Sequence, residues 1–405
     1  MLRPRLPAAL RRVLLGLAAG MLVPACGAQA PAPLGARLAN SEADPFGAQN
    51  SGAAIEAFFN KTYGETIAAN EPAARDSAIN TDKGLLALIR SARKSLDGAF
   101  YDINDPGVVA AMIEAARRGV AVRLVTDTDN MAEKDDPTRP RQAILDLQAA
   151  GVAVRDDRRS AIMHHKFLIV DRKAVWMGST NLTTSSLYHH NNNALILRSG
   201  GIADQYGKEF SRLFEQGSFG PLTGMFDGLV RPTFKMGGAS VQVYFSPKGG
   251  GKAAVADELR RSRKSIRFLT FSLTDREVGD ILVAKRRAGV EVTGVFDRWL
   301  AAGPYSLFLP FKAEVQSVYK DGNEALMHHK VFIIDGTTVI TGSFNYSQNA
   351  ESANNESFVI ARRSRGLADA FEEEFQRVLN AALVNKPPAA KPRDSEQEVP
   401  EVPKI

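Results

Sequence analysis

One cysteine, Cys26, and two tryptophans in 405 residues narrow the field at once. A single thiol allows no intrachain disulfide, and its place near the N-terminus leaves no thiol nucleophile for the body of the chain. Long apolar runs are equally scarce. Val13 to Val23 is short for a bilayer span, and no later segment is apolar enough to cross one as a helix. The familiar zinc spacings are missing, so none of the usual closed or catalytic metal sites is expected. Basic charge is thinner than the formal +6 suggests: the first 25 residues hold Arg3, Arg5, Arg11 and Arg12 and no acid, which leaves +2 for the rest. Net charge alone therefore makes no case for nucleic acid.

What is present at the N-terminus reads as an export signal over residues 1–25, arginines followed by an apolar core. Val23-Pro24-Ala25-Cys26 is similar to a bacterial lipobox, which would lipidate Cys26, although proline departs from the usual small residue there. Cleavage after Ala28-Gln29-Ala30 is the rival, opposed by Pro31. Either way the protein is expected to be exported, as a periplasmic or cell-envelope lipoprotein or in secreted form. Residues 26–50, rich in Ala, Pro and Gly, read as a linker, and 385–405, rich in Pro, Lys and Glu, as a disordered tail.

Between them the chain says the same thing twice. Met163-His164-His165-Lys166-Phe167-Leu168-Ile169-Val170-Asp171 returns 164 positions later as Met327-His328-His329-Lys330-Val331-Phe332-Ile333-Ile334-Asp335. Each copy runs on through six residues to Gly178-Ser179-Thr180-Asn181 or Gly342-Ser343-Phe344-Asn345, so both halves carry H-x-K-x4-D-x6-G-S-x-N. The apolar runs after each lysine read as buried strands. Strand parity puts His164 with Lys166, and His328 with Lys330, on one face, and turns His165 and His329 the other way. Asp335-Gly336 is a hairpin signal and Asp171-Arg172 a weaker one. The returning strand then brings a glycine, a hydroxyl and an amide beside the imidazole. Stability alone would not require the same ionisable groups on both strands.

The paired motif resembles the signature of the phospholipase D superfamily, in its nuclease-like or bacterial phospholipase D-like branch. The resemblance covers roughly residues 84 to 382. It implies an α/β fold of two α/β/α sandwich halves related by a pseudo-twofold axis, one active site at their interface, no cofactor and no metal. The repeats are placed at 51–225 and 239–384, each expected to carry a mixed, largely parallel sheet, because strands and helices alternate. With both motifs in one chain, a monomer suffices. The resemblance further implies a catalytic set of His164, His328, Lys166, Lys330, Asp171 and Asp335, the two aspartates supporting the site, since each lies an odd number of positions past its lysine and at a turn. Asn181, Asn345, Ser179 and Ser343 are expected to bind phosphate. Glu356 is expected to hold a catalytic imidazole in one tautomer; its counterpart in the first repeat is Asn192 by ungapped count, or Asn193 if one residue is inserted. The first function implied is a metal-independent phosphodiesterase working through phosphohistidine, a phospholipase D cutting a phospholipid head group. An endonuclease, a phosphatidyltransferase and a non-enzymatic scaffold are the alternatives.

Three features stand outside this pattern. His189-His190 is expected on a loop. The basic clusters around Arg260 and Lys285 read as solvated helix faces, with no interleaved aromatics for base stacking. Trp299 to Phe311 reads as a buried helix, with a lid that meets lipid as its second reading. Ser51 to Asn80 shows patches of helical pattern without a clear place.

Overall fold

The structure is a computed structural model that describes residues 54–63, 66–222 and 231–384. The signal, Cys26, the linker and the tail lie outside the described residues, and among these no helix is long and apolar enough to cross a membrane.

The first half runs β1 (Ile55–Phe59), α1 (Ile67–Asp76), α2 (Thr81–Ser91), β2 (Ser95–Phe100), α3 (Pro106–Arg117), β3 (Ala121–Thr126), α4 (Gln142–Ala149), β4 (Ala153–Asp156), β5 (Lys166–Val170), β6 (Ala174–Gly178), α5 (Thr184–Tyr188), β7 (Asn193–Leu197) and α6 (Gly200–Phe214). The second runs β8 (Phe234–Met236), β9 (Ala239–Ser246), α7 (Gly251–Arg261), β10 (Ser265–Thr270), α8 (Arg276–Arg287), β11 (Glu291–Phe296), α9 (Phe308–Glu314), β12 (Val318–Lys320), β13 (Lys330–Ile334), β14 (Thr338–Gly342), α10 (Gln348–Ser352), β15 (Glu356–Arg362) and α11 (Arg365–Val384). Strand order is β1-β7-β6-β5-β2-β3-β4 in one sheet and β12-β11-β10-β13-β14-β15-β9-β8 in the other.

Neither sheet is largely parallel. Only β2-β3-β4 and β10-β11-β12 pair in parallel, and the remaining pairings are antiparallel. The reason is connection length: helical crossovers such as α3 and α8 return the chain to run parallel, whereas β5 to β6 and β13 to β14 turn back within a few residues. Both hairpins adopt left-handed backbone at their centres, Asp171 and Arg172 at φ 51° and 55°, Asp335 and Gly336 at φ 52° and 63°. The weaker signal in the first half thus makes the same turn. The segment from Ser51 to Asn80 supplies β1, a strand on the edge of the first sheet antiparallel to β7, and α1.

Alternation along the strands sorts the core into layers. Phe167 and Ile169 of β5, with Val331 and Ile333 of β13, face a central core shared with Tyr206 and Phe210 of α6 and Phe371 and Phe375 of α11. Leu168 and Val170 face the helices α2 to α5, and Phe332 and Ile334 face α7 to α9. Each half is therefore helix, sheet and helix, with α6 and α11 both lining the central core. Two short parallel bridges, Met163 with Asn355 and Asn191 with Met327, join the halves reciprocally. Because each residue pairs with its partner's equivalent, the join has the form of a pseudo-twofold axis passing between the two motifs.

Candidate active site

The bridges that join the halves also build the site. The backbone N–H of His164 donates to Asn355 O, and that of His328 to Asn191 O, both at 2.9 Å. Just ahead of each histidine, a buried aspartate anchors the chain: Asp127 accepts from Met163 N at 2.8 Å and Asp297 from Met327 N at 3.1 Å. Burial pushes these carboxyls up, to about 7 for Asp127 and about 6 for Asp297. Asp127 and Asp297 are 170 positions apart, the spacing that also relates Arg93-Lys94-Ser95 to Arg263-Lys264-Ser265, but nothing in the pattern revealed what they hold.

Each imidazole is oriented from across the interface. His164 Nδ1 donates to Glu356 at 2.8 Å, and His328 Nδ1 donates to the side-chain oxygen of Asn192 at 3.0 Å. With Nδ1 carrying the proton, Nε2 of each ring is the free base. For His164 that atom is buried without a partner among the described residues. Asn192, not Asn193, is thus the counterpart of Glu356. Asn193 instead contacts His329 at 3.0 Å and donates to Thr341 at 2.6 Å. His165 and His329 turn away from the site, to Glu209 on α6 and Glu374 on α11.

The lysines lie beside the rings. Lys166 Nζ donates to His164 O and Lys330 Nζ to His328 O, each at 2.8 Å, and each ammonium sits over an aromatic face, Tyr101 at 5.2 Å or Phe271 at 4.6 Å. The same two rings pack edge-on against His164 and His328. These aromatic supports were not anticipated, although Tyr101 and Phe271 occupy equivalent places in the repeat. Burial pushes Lys166 down to about 7 and Lys330 well below its ordinary value, the latter also by Lys166. Burial and both lysines hold the two imidazoles well below the usual histidine range. Glu356, in turn, is pushed up by burial to about 8, against the pull of the lysines. Burial thus pushes both lysines and Glu356 toward their uncharged forms, and an arriving anion favours the return of the ammonium charges.

Asn181 and Asn345 leave their Oδ1 atoms buried without partners among the described residues. The serines have partners inside the protein. Ser179 and Ser343 are fully buried, Ser179 Oγ donating to Asn192 Oδ1 at 2.7 Å and Ser343 Oγ accepting from Ser357 N at 3.0 Å. Their hydroxyls brace the loop that carries Asn192 or Glu356. Gly178 and Gly342 allow this closeness: a Cβ there would stand 2.2 Å from Asn193 O or 2.3 Å from Ser357 O.

Asp171 and Asp335 touch neither imidazole nor ammonium. Asp171 accepts from the backbone N–H groups of Arg93, Lys94 and Ser95, and Asp335 from those of Arg263, Lys264 and Ser265. They fix the entry to β2 and β10 at the far end of the motif strand. His189 and His190 follow α5; His189 pairs with Glu71 at 2.7 Å, and the ring of His190 lies 6.3 Å from that of His328. The Trp299 to Phe311 segment is divided: Phe308 and Phe311 are buried, while Trp299, Tyr305 and Leu309 are exposed. Among the described residues no group of three His, Cys, Asp or Glu side chains could hold a metal ion.

The family model for the PLD-like domain of cardiolipin synthase matches residues 85–214 and 255–379, one stretch in each half. Over 132 residues, 33% of this chain, the sequence is 38% identical to a mitochondrial cardiolipin hydrolase of Xenopus laevis, of which it spans 60%. It is 31% identical over 118 residues, 29% of this chain, to a phospholipase D of Rickettsia bellii, of which it spans 56%. In fold it is similar to the crystal structure of phosphatidylserine synthase from Haemophilus influenzae, with a TM-score of 0.57 at 11% identity over 75% of this chain and 85% of that one. Two matched halves, each contributing one motif to a shared pocket, make this chain a member of the phospholipase D superfamily.

Proposed function

We propose that the protein is a phosphodiesterase of the phospholipase D type, hydrolysing the head-group ester of a phospholipid through a phosphohistidine. The observation that carries the mechanism is the unequal backing of two otherwise equivalent imidazoles, Glu356 behind His164 and Asn192 behind His328. A phosphorylated imidazole is cationic, so the ring facing a carboxylate is the better nucleophile. His164 Nε2 attacks phosphorus, the bond to the leaving oxygen breaks, and His328 gives that oxygen its proton. His328 then takes a proton from water as the water attacks phosphorus and the bond to His164 breaks. Lys166, Lys330, Asn181 and Asn345 hold the nonbridging oxygens where charge grows. In the free protein burial, helped by Lys330 and Lys166, keeps His328 neutral; the arriving phosphodiester supplies the negative charge that lets it carry a proton.

The choice of phospholipid rests on relatives named as cardiolipin hydrolases and a phospholipase D. We further propose export, with lipid attachment at Cys26, from the arginine-rich, apolar N-terminus. Purified protein in EDTA should release choline from phosphatidylcholine vesicles and 4-nitrophenol from bis(4-nitrophenyl) phosphate, leaving plasmid DNA intact. His164→Asn and His328→Asn should each lose about 4 kcal/mol or more of barrier reduction, roughly a thousandfold. Plasmid nicking that falls steeply with salt would move the substrate to nucleic acid. Full activity in either variant would end the scheme.

A further inference from the structure

The segment from Trp299 to Phe311, which leads from β11 into α9, has no part in the scheme above. Of the large apolar side chains exposed among the described residues, three lie here: Trp299 at 52%, Tyr305 at 81% and Leu309 at 72%. Their backbone is firmly rooted. Phe308 and Phe311 are buried against Phe296 of β11, with ring centroids 5.4 and 6.1 Å away, so the face of α9 that carries Leu309 and Lys312 looks outward. Between this segment and α8 runs an open groove of about 730 Å³, lined by Val283, Leu307 and Phe311 among others, with Tyr305 at its rim. The segment also borders the active site. Asp297, which holds Met327 N, accepts from Trp299 N at 3.0 Å, and Trp299 Nε1 donates to Ala325 O at 3.1 Å, in the stretch that leads into His328.

Charge and pseudo-symmetry indicate what meets this ridge. The connection 298–307 holds Arg298 and no acid; α9 and β12 beyond it add Lys312 and Lys320 against Glu314, which is already paired with Arg287 at 2.7 Å. The equivalent connection in the first half, residues 128–140, has no exposed large apolar side chain and gathers Asp129, Glu133, Asp135 and Asp136 against Lys134 and Arg139. Two loops at equivalent places thus differ in both respects, one aromatic and basic, the other polar and acidic. Amphipathic rings and a leucine that project from a rooted backbone beside cations form the composition that partitions into a phospholipid interface with negative charge. The acidic loop of the other half would be repelled by the same surface.

We propose that Trp299, Tyr305 and Leu309 enter the head-group region of an anionic phospholipid surface while Lys312 meets its head groups, so that the bilayer approaches the pocket from the His328 side. The proposal rests on the reading of the substrate as a phospholipid.

The two tryptophans make the test direct. Trp176 is fully buried and Trp299 is exposed, so quenching of fluorescence by brominated acyl chains reports Trp299. The full chain carrying Cys26→Ser, which takes no lipid, is mixed with vesicles of brominated phosphatidylcholine, alone or with phosphatidylglycerol. Quenching is expected, stronger with phosphatidylglycerol and weakened by salt. Trp299→Phe supplies the background of Trp176. The double variant Tyr305→Ser, Leu309→Ser should need about tenfold more lipid or beyond for the same quenching. It should lose choline release from vesicles in step, while its hydrolysis of bis(4-nitrophenyl) phosphate stays native, which also shows that it is folded. Lys312→Gln should reduce the gain from phosphatidylglycerol. An unquenched Trp299 in the native protein, or vesicle turnover that the double variant leaves intact, overturns the proposal. So does a dimer in sedimentation velocity that the double variant dissociates, because the occupant is then a second copy. Failure of the underlying reading looks different: quenching without choline release keeps the docking surface and removes the phospholipid as substrate.

Discussion

His164 and Glu356 stand in different halves of the molecule, yet their side chains meet at 2.8 Å, and the equivalent pair reached through the pseudo-twofold axis is His328 with Asn192. A duplicated sequence has thus produced two imidazoles with the same geometry and different electrostatic backing. Replacing Glu356 by Gln makes the backing equal. Turnover should fall about 10- to 100-fold, the worth of one buried charged hydrogen bond, and should fall alike for aryl and alkyl leaving groups. His328→Asn should instead penalise alkyl leaving groups more, because a nitrophenolate needs no proton to depart. A preferential loss on alkyl esters in Glu356→Gln would reverse the two roles.

Anion binding should depend on pH through the lysines. Lys166 titrates at about 7 in the free protein, so its ammonium is present below that value and lost above it. Sulfate, whose charge is constant across this range, should raise the melting temperature more at pH 6 than at pH 8. Calorimetry at pH 8 in buffers of different ionisation enthalpy should show proton uptake on binding. Stability of the ligand-free protein follows the opposite sign. An unfolded lysine titrates near 10.4, so between about 7 and that value the unfolded chain binds more protons and this group makes folding more favourable as pH rises. Lys166→Met should accordingly raise the melting temperature at pH 6 and abolish turnover; a lower melting temperature would show that the ammonium is well paired in the free state.

Gly342→Ala tests the closeness of strand and loop. The added Cβ would meet Ser357 O at 2.3 Å, which is backbone and cannot swing aside. A loss of about 1–3 kcal/mol is expected from overpacking, together with reduced turnover, since the displaced residue adjoins Glu356. Urea unfolding and steady-state kinetics would measure both, and an unchanged midpoint would mean that the loop yields freely.

Asp335→Ala separates support from chemistry. Three backbone N–H groups, of Arg263, Lys264 and Ser265, lose their acceptor. Stability should drop by about 1–3 kcal/mol, while turnover per folded molecule stays within about tenfold of native, far short of the loss at a histidine. A thousandfold loss at full stability would restore the aspartate to the reaction itself.

The duplication, the strand faces and the hairpin reversals were legible because they are local: parity decides which way His164 and His165 point, and Asp335-Gly336 marks a turn wherever it lies. The tilt toward antiparallel pairing was not legible, since an alternation of strands and helices does not say which strands become neighbours. β1 was missed for a similar reason; five residues read as a strand only once β7 offers them an edge.

The site divides along the same line. Sequence determined the inventory of imidazoles, ammoniums and amides, and the fact that it comes twice, because spacing along a strand is fixed by covalent geometry. Tertiary structure decided who serves whom: that Glu356 backs His164 and Asn192 backs His328, that Ser179 and Ser343 face inward, that Asp171 and Asp335 hold backbone, and that His190 stands beside His328. The imidazole pairings join residues 136 or more positions apart, those of the two aspartates 70 or more, and the serines' direction depends on burial. Only the closing of one half upon the other, driven by the apolar core between them, brings the groups within reach.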